Sequence, residues 1–116
     1  MSLVGENALI TAISNDSSHD LIFAQQIFGY GNFGDVLLAI STSGNSKNII
    51  YACEIAKALG LKVIGLTGFD GGELKELCDV CINVPIDTKE TYIIQEYHLP
   101  IYHLLCMAIE NEFFGE

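Results

Sequence analysis

Four hydroxyl residues crowd into one hexapeptide, Ser41-Thr42-Ser43-Gly44-Asn45-Ser46, directly after an apolar run and directly before a helical pattern. A loop in that position opens a helix whose first N–H groups have no internal acceptor, and the helix dipole adds partial positive charge at the same place. Gly44 permits close backbone approach and Lys47 supplies a full charge nearby, so the segment has the chemistry of a phosphate cradle. It lacks the Gly-Lys-Ser/Thr ending of a nucleoside triphosphate loop. Residue types alone leave a second reading open, in which the same side chains cap the helix and fill a solvated turn. His103 is the other residue able to do chemistry, as a general acid or base. Its neighbours Ile101, Leu104 and Leu105 equally describe a helix histidine packed in a core.

The elements that must position these residues alternate between strand and helix. The β-rich run over residues 9–13 leads into the polar, capping-competent Asn15-Asp16-Ser17-Ser18, and a helix is predicted from about 20 to 28, where Leu21, Ala24, Ile27 and Phe28 recur at helical spacing. Gly29, Gly31 and Gly34 then break the chain. Val36-Leu37-Leu38-Ala39-Ile40 is a continuous apolar run, which predicts a strand buried on both faces. After the hydroxyl loop, Ile49, Ile50, Cys53, Ile55, Ala56 and Leu59 make a helical face that stops at Gly60. A third strand is expected over residues 62–67, a turn over 68–72, a short helix over 73–77 and a fourth strand over 80–84. The last helix is expected from about 92 to 113, apolar on most faces, with Pro100 removing one backbone donor and bending it near Glu96.

Strands separated by helices imply parallel pairing and right-handed crossovers. The predicted fold is α/β: a three-layer, doubly wound, flavodoxin-like parallel sheet of about four strands. Ligands of such sheets bind at the carboxyl ends of the strands, which here carry Ser14-Asn15-Asp16, the hydroxyl loop and Thr67-Gly68.

Bulk properties narrow the partners. With 116 residues the chain is expected to be one domain. A formal charge of −10 repels a polyphosphate backbone, which argues against nucleic acid. Half of the residues are apolar and the mean hydropathy is +0.37, which points to apolar surface buried between copies of the chain. The longest nearly apolar segment, residues 99–109, is too short to span a bilayer, and the N-terminus lacks the pattern of a signal peptide, so a cytoplasmic location is expected. Cys78 and Cys81 have C-x-x-C spacing, but Cys53 and Cys106 make no second pair, so buried thiols are expected rather than structural zinc.

The run Gly34-Asp35-Val36-Leu37-Leu38-Ala39-Ile40-Ser41-Thr42-Ser43-Gly44-Asn45-Ser46 closely resembles the phosphate loop of sugar isomerase (SIS) domains, particularly those of phosphoheptose isomerases. The resemblance continues through Leu66-Thr67-Gly68-Phe69-Asp70-Gly71-Gly72 and Val84-Pro85 to Ile94-Gln95-Glu96-Tyr97-His98-Leu99-Pro100-Ile101-Tyr102-His103. It implies that Ser41, Thr42, Ser43 and Ser46 hold a substrate phosphate, and that Asn15 and Asp16 lie near the sugar. It also implies that Gln95 and His103 face the reacting carbons and can bind a divalent metal such as zinc. The activity implied is ketose/aldose isomerisation of a seven-carbon sugar phosphate for cell-surface carbohydrate, in a homo-oligomer, dimer or tetramer. His98 falls between the motif's outer positions and is expected to be structural or interfacial.

The chain departs from the family pattern in starting at the equivalent of the second strand. The family's first strand, its Gly- and Ser-rich loop and a helix bearing a His and a Glu have no counterpart here. The expectation is therefore an N-terminally truncated SIS domain over residues 1–116, with an exposed edge on the strand at 36–40. The alternative function is a non-catalytic SIS module that senses a sugar phosphate or binds a protein partner.

Overall fold

A computed structural model describes residues 2–4, 19–87 and 90–115. The strand expected over 9–13, together with Asn15 and Asp16, lies outside them. A 3₁₀ turn, His19–Leu21, leads into helix α1, Ile22–Tyr30. Strand β1, Val36–Ile40, is followed by α2, Lys47–Ala58, and β2, Lys62–Gly68, by the single-turn helix α3, Leu74–Leu77. Strand β3, Val80–Val84, precedes the long α4, Thr91–Phe114, which runs through Pro100 as one helix.

The three strands lie in the order β1-β2-β3 and pair in parallel. Val36 stands opposite Lys62 and Ile40 opposite Leu66, while Ile64 stands opposite Val80 and Gly68 opposite Val84. Every carboxyl end therefore lies at the same edge, and the hydroxyl loop leaves β1 beside the end of β2. Gly60 ends the α2 unit because its φ of +84° suits a residue without a Cβ. Leu61 N–H then reaches back to the Ala56 carbonyl at 2.8 Å, the long bond of a Schellman stop.

One face of the sheet carries most of the core. Ala39 and Val63 project onto Ile27 of α1, Ala52, Cys53 and Ala56 of α2, and Leu74 of α3. On the opposite face α4 covers the end of β2, where Ile94 packs against Gly68. The helix reaches no further across that face, so β1 is not buried on both sides as its apolar run predicts. Val36, Leu38 and Ile40 are 60%, 41% and 42% exposed, whereas Ala39 is buried. Alternate side chains of a strand point to opposite faces, and only the face bearing Leu37 and Ala39 has a helical layer over it among the described residues. Of α4 itself only Ile94 and His98 are buried; Leu104, Met107, Ile109, Phe113 and Phe114 are exposed.

Candidate functional site

The hydroxyl loop continues the β1 ladder for one more residue, since Ser41 N–H donates to the Leu66 carbonyl at 2.9 Å. That bond draws Ser41 into the protein, where it is buried, while Thr42 is half-buried and Ser43, Asn45, Ser46 and Lys47 are exposed. Ser46 occupies the N-cap of α2, yet its side chain makes no cap hydrogen bond. Its hydroxyl lies 3.1 Å from that of Ser41 instead, across the mouth of the loop. The Ser41 hydroxyl also accepts from Gly44 N–H at 3.1 Å, and the Ser43 hydroxyl from Asn45 N–H at 3.1 Å. The loop thus closes on itself, and the N–H groups of Lys47 and Asn48 in the first turn of α2 have no intrahelical acceptor.

A second loop holds the first in place. Gly44 has φ +70°, and a Cβ there would collide with the Gly71 carbonyl oxygen. A Cβ on Gly72, at φ +54°, would lie 2.5 Å from the Ser43 oxygen. Glu73 N–H donates to Asn45 Oδ1 at 2.9 Å and Leu74 N–H to the Gly44 carbonyl at 2.9 Å. Phe69 takes a positive φ of 55° within this second loop, a conformation that a bulky side chain rarely adopts unless its surroundings impose it. Asn83 of β3 supplies part of that constraint, its Nδ2 donating to the Phe69 carbonyl at 2.9 Å while its Oδ1 accepts from the Thr67 hydroxyl at 2.9 Å. Asn83, and the bracing role of Gly71 and Gly72, add to the residues read from sequence. The sequence signal for the second loop is its doubled Gly71-Gly72 after Asp70, within the stretch 66–72.

Gln95 and His103 both lie on exposed positions of α4. Eight residues separate them, which is about 12 Å along a helix axis and about 80° around it. The His103 ring meets the edge of the Tyr102 ring at 5.1 Å, and among the described residues it has no hydrogen bond to another titratable side chain. His98, on the inner face, is 2% exposed, and its Nε2 lies 2.7 Å from the Thr67 carbonyl oxygen, in keeping with the structural role expected for it. The structure therefore groups Ser41, Thr42, Ser43 and Ser46 in one loop. It sets Gln95 and His103 apart on one helix, without bringing them into hydrogen-bond contact with that loop.

A catalytic zinc takes about three protein ligands. Gln95 and His103 offer two, and among the described residues no group of three His, Cys, Asp or Glu could hold a metal. The described residues do not complete such a site. Two of the thiols, those of Cys53 and Cys78, are poor donors. Burial, with the nearby Cys78 thiol and Glu54 adding to it, pushes the Cys53 thiol up to about 12. Burial and the adjacent Cys81 raise Cys78 to about 11, and protonated thiols are poor ligands.

The sequence profile of the SIS domain matches residues 1–68. The chain is 42% identical over 115 residues to a phosphoheptose isomerase from Akkermansia muciniphila, covering 99% of this chain and 60% of that protein. It is 46% identical to one from Rhodospirillum rubrum, covering 96% of this chain and 58% of that protein. Among solved structures, a phosphoheptose isomerase from Neisseria gonorrhoeae superposes with a TM-score of 0.88 at 40% identity, over 94% of this chain and 61% of that one. The corresponding structure from Francisella tularensis gives 0.89 at 43% identity, over 96% and 59%. The chain spans about three fifths of the length of the relatives it matches. A parallel sheet with a hydroxyl loop at its carboxyl edge, the profile match over more than half of the chain and the agreement with these structures lead to one assignment: the chain belongs to the SIS domain family.

Proposed function

We propose that this chain supplies the phosphate-binding part of a phosphoheptose-isomerase-type site, with Ser41, Thr42, Ser43 and Ser46 holding the phosphate of a seven-carbon sugar. The observation that carries the reading is the disposition of Ser46. A serine at a helix N-cap ordinarily satisfies an N–H of the first turn. Here its hydroxyl faces that of Ser41 at 3.1 Å and, while Ile49 N–H is taken by Asn48 Oδ1 at 2.8 Å, the N–H groups of Lys47 and Asn48 stay open among the described residues. Oriented N–H groups at a helix start, hydroxyls converging on the same mouth and the Lys47 ammonium form a local anion site that outweighs a screened net charge of −10.

Inorganic phosphate, followed by sedoheptulose 7-phosphate, should shift the amide resonances of residues 43–47. Ser43→Ala with Ser46→Ala should abolish the response and His103→Ala leave it intact. A folded chain whose amides ignore both ligands ends this reading.

In the same proposal Asn15, Asp16 and Gln95 contact the sugar and His103 exchanges protons with the substrate. A divalent ion such as zinc would need donors beyond Gln95 and His103. No helix among the described residues is long and apolar enough to cross a membrane, and the reading places the protein in the cytoplasm, where sugar phosphates are made. A homo-oligomer, dimer or tetramer, follows from the exposed apolar residues of α4. Leu104, Met107, Ile109, Phe113 and Phe114 put more apolar surface into water than a solitary helix end of a soluble chain normally does. Light scattering at micromolar concentration should therefore give at least twice the monomer mass, and Met107→Glu with Phe113→Glu should halve it. A monomer before any substitution contradicts the proposed assembly.

A further inference from the structure

His98 has no part in the site described so far, yet its environment is unlike that of a residue kept for packing. The ring is 2% exposed, its Nε2 lies 2.7 Å from the Thr67 carbonyl oxygen, and its Nδ1 is buried with no hydrogen-bond partner among the described residues. A carbonyl only accepts, so Nε2 carries a proton and donates it, and Nδ1 is the orphan. Leaving a buried polar atom unpaired costs at least as much as one hydrogen bond contributes on balance. An apolar side chain of similar size would remove that cost but take the imidazole donor from the Thr67 carbonyl, so packing alone does not explain a histidine here. What the imidazole adds is a directed bond to one backbone atom.

That atom sits at a junction. Thr67 uses its carbonyl for His98 and its hydroxyl for Asn83, whose amide in turn holds the Phe69 carbonyl. The next residue, Gly68, lies between Ile94 and the Thr42 carbonyl, where an added Cβ would come within 2.6 Å of the Ile94 side chain and 2.8 Å of the Thr42 oxygen. Beyond it, the 68–73 loop is interlocked with Ser43, Gly44 and Asn45. Ile94 and His98 are one helical turn apart on α4, and they grip consecutive residues of β2. Ile94 contributes shape alone, which a helix can satisfy after sliding or turning slightly, whereas a hydrogen bond to a carbonyl fixes both its axial register and its rotation.

We infer that His98 is a positioning residue: its bond to the Thr67 carbonyl sets α4, and with it Gln95 and His103, against the strand end that braces the phosphate loop. The inference rests on the functional reading above for its relevance to catalysis, but its geometric content stands independently. It is tested on the full 116-residue chain by His98→Leu, with His98→Gln as the conservative variant, because the Gln amide can reach the same carbonyl.

Nuclear Overhauser contacts between the Ile94 methyl groups and Gly68 report the helix register, and titration with inorganic phosphate reports the loop. His98→Leu should weaken the Ile94–Gly68 contacts and reduce phosphate affinity about tenfold, the effect of losing one directed hydrogen bond. His98→Gln should restore both. A purely structural role would lower the melting temperature of the leucine variant and leave both readouts unchanged in the folded protein, which overturns the inference. If the leucine variant does not fold, His98→Met, whose flexible side chain fills the same space, takes its place under the same criteria. If the unsubstituted chain gives no phosphate response, the functional reading fails, and the Ile94–Gly68 contacts alone decide this one.

Discussion

The 116-residue chain by itself is expected to bind a sugar phosphate and not to isomerise it. Exchanging a ketose for an aldose removes a proton from the carbon beside the carbonyl and serves the two oxygens as an enediol forms, which takes two positioned acid/base groups. His103 is exposed on α4, its ring contact is Tyr102, and among the described residues no second titratable group is hydrogen-bonded to it. A missing member of the pair removes roughly 100-fold to 10,000-fold in rate, and the lost orientation of the sugar adds to that deficit. Binding needs only one strand-loop-helix unit, whose bonds are local to residues 41–50 and to the loop at 68–74. A coupled assay with sedoheptulose 7-phosphate should therefore show no turnover above background while the same sample gives saturable shifts at residues 43–47. Robust turnover refutes the two-group argument, and supplying the remainder of a full-length relative in trans should raise the rate if that argument holds.

Gly44→Ala is expected to cost about 2–5 kcal/mol of stability and to erase phosphate binding. Two penalties combine. A left-handed conformation costs an L-residue about 1–2 kcal/mol, and Gly44 has φ +70°. The added methyl would also overlap the Gly71 carbonyl oxygen, and forcing atoms into a filled space costs about 1–3 kcal/mol. Relief by movement is costly because the loops are bonded on both sides of the clash, Leu74 N–H to the Gly44 carbonyl and Glu73 N–H to Asn45 Oδ1. Urea unfolding gives the difference directly. Gly29→Ala is the control: it lies in α1 with nothing within 4 Å of a new Cβ, so it should be neutral or stabilise by roughly 0.5–1 kcal/mol. A Gly44→Ala protein within about 1 kcal/mol of the parent would show that the loops part easily, contrary to this packing.

Periodicity made most of the architecture legible in the sequence. The β-α-β alternation from Val36 onward, the helix stop at Gly60 and the polar carboxyl edge all appear in the structure, because each is set by local pattern or by one residue's backbone freedom. An exposed edge on β1 was expected, but the exposure of one of its faces was not legible. Val36, Leu38 and Ile40 are as apolar as Leu37 and Ala39, and whether a helix covers them depends on how far α4 reaches across the sheet, which no local pattern encodes. The candidate phosphate loop was readable as residue types in a favourable place, but not its support. The Asn45–Glu73 bond spans 28 residues, and the contact of Gly44 with Gly71 depends on two turns meeting in space. His98 falls in the same class: the spacing from Ile94 shows that it shares the inner face of α4, whereas its bond to Thr67 follows from packing.

For protein engineering, the two interlocked loops are one part made from two distant stretches of chain. A tag, a sensor domain or new termini placed anywhere within residues 41–46 or 68–73 would prise apart glycines that meet without room for a methyl group. The turn between α1 and β1 is the opposite case. Asn32, Phe33, Gly34 and Asp35 are exposed, and an insertion ahead of Asn32 keeps the bond from Gly34 N–H to the Gly60 carbonyl at 3.2 Å and leaves the β1-α2-β2-α3 unit whole. A fluorescent reporter of sugar phosphate built on this domain belongs at that turn, where it can sense the neighbouring elements without occupying the loop that does the binding.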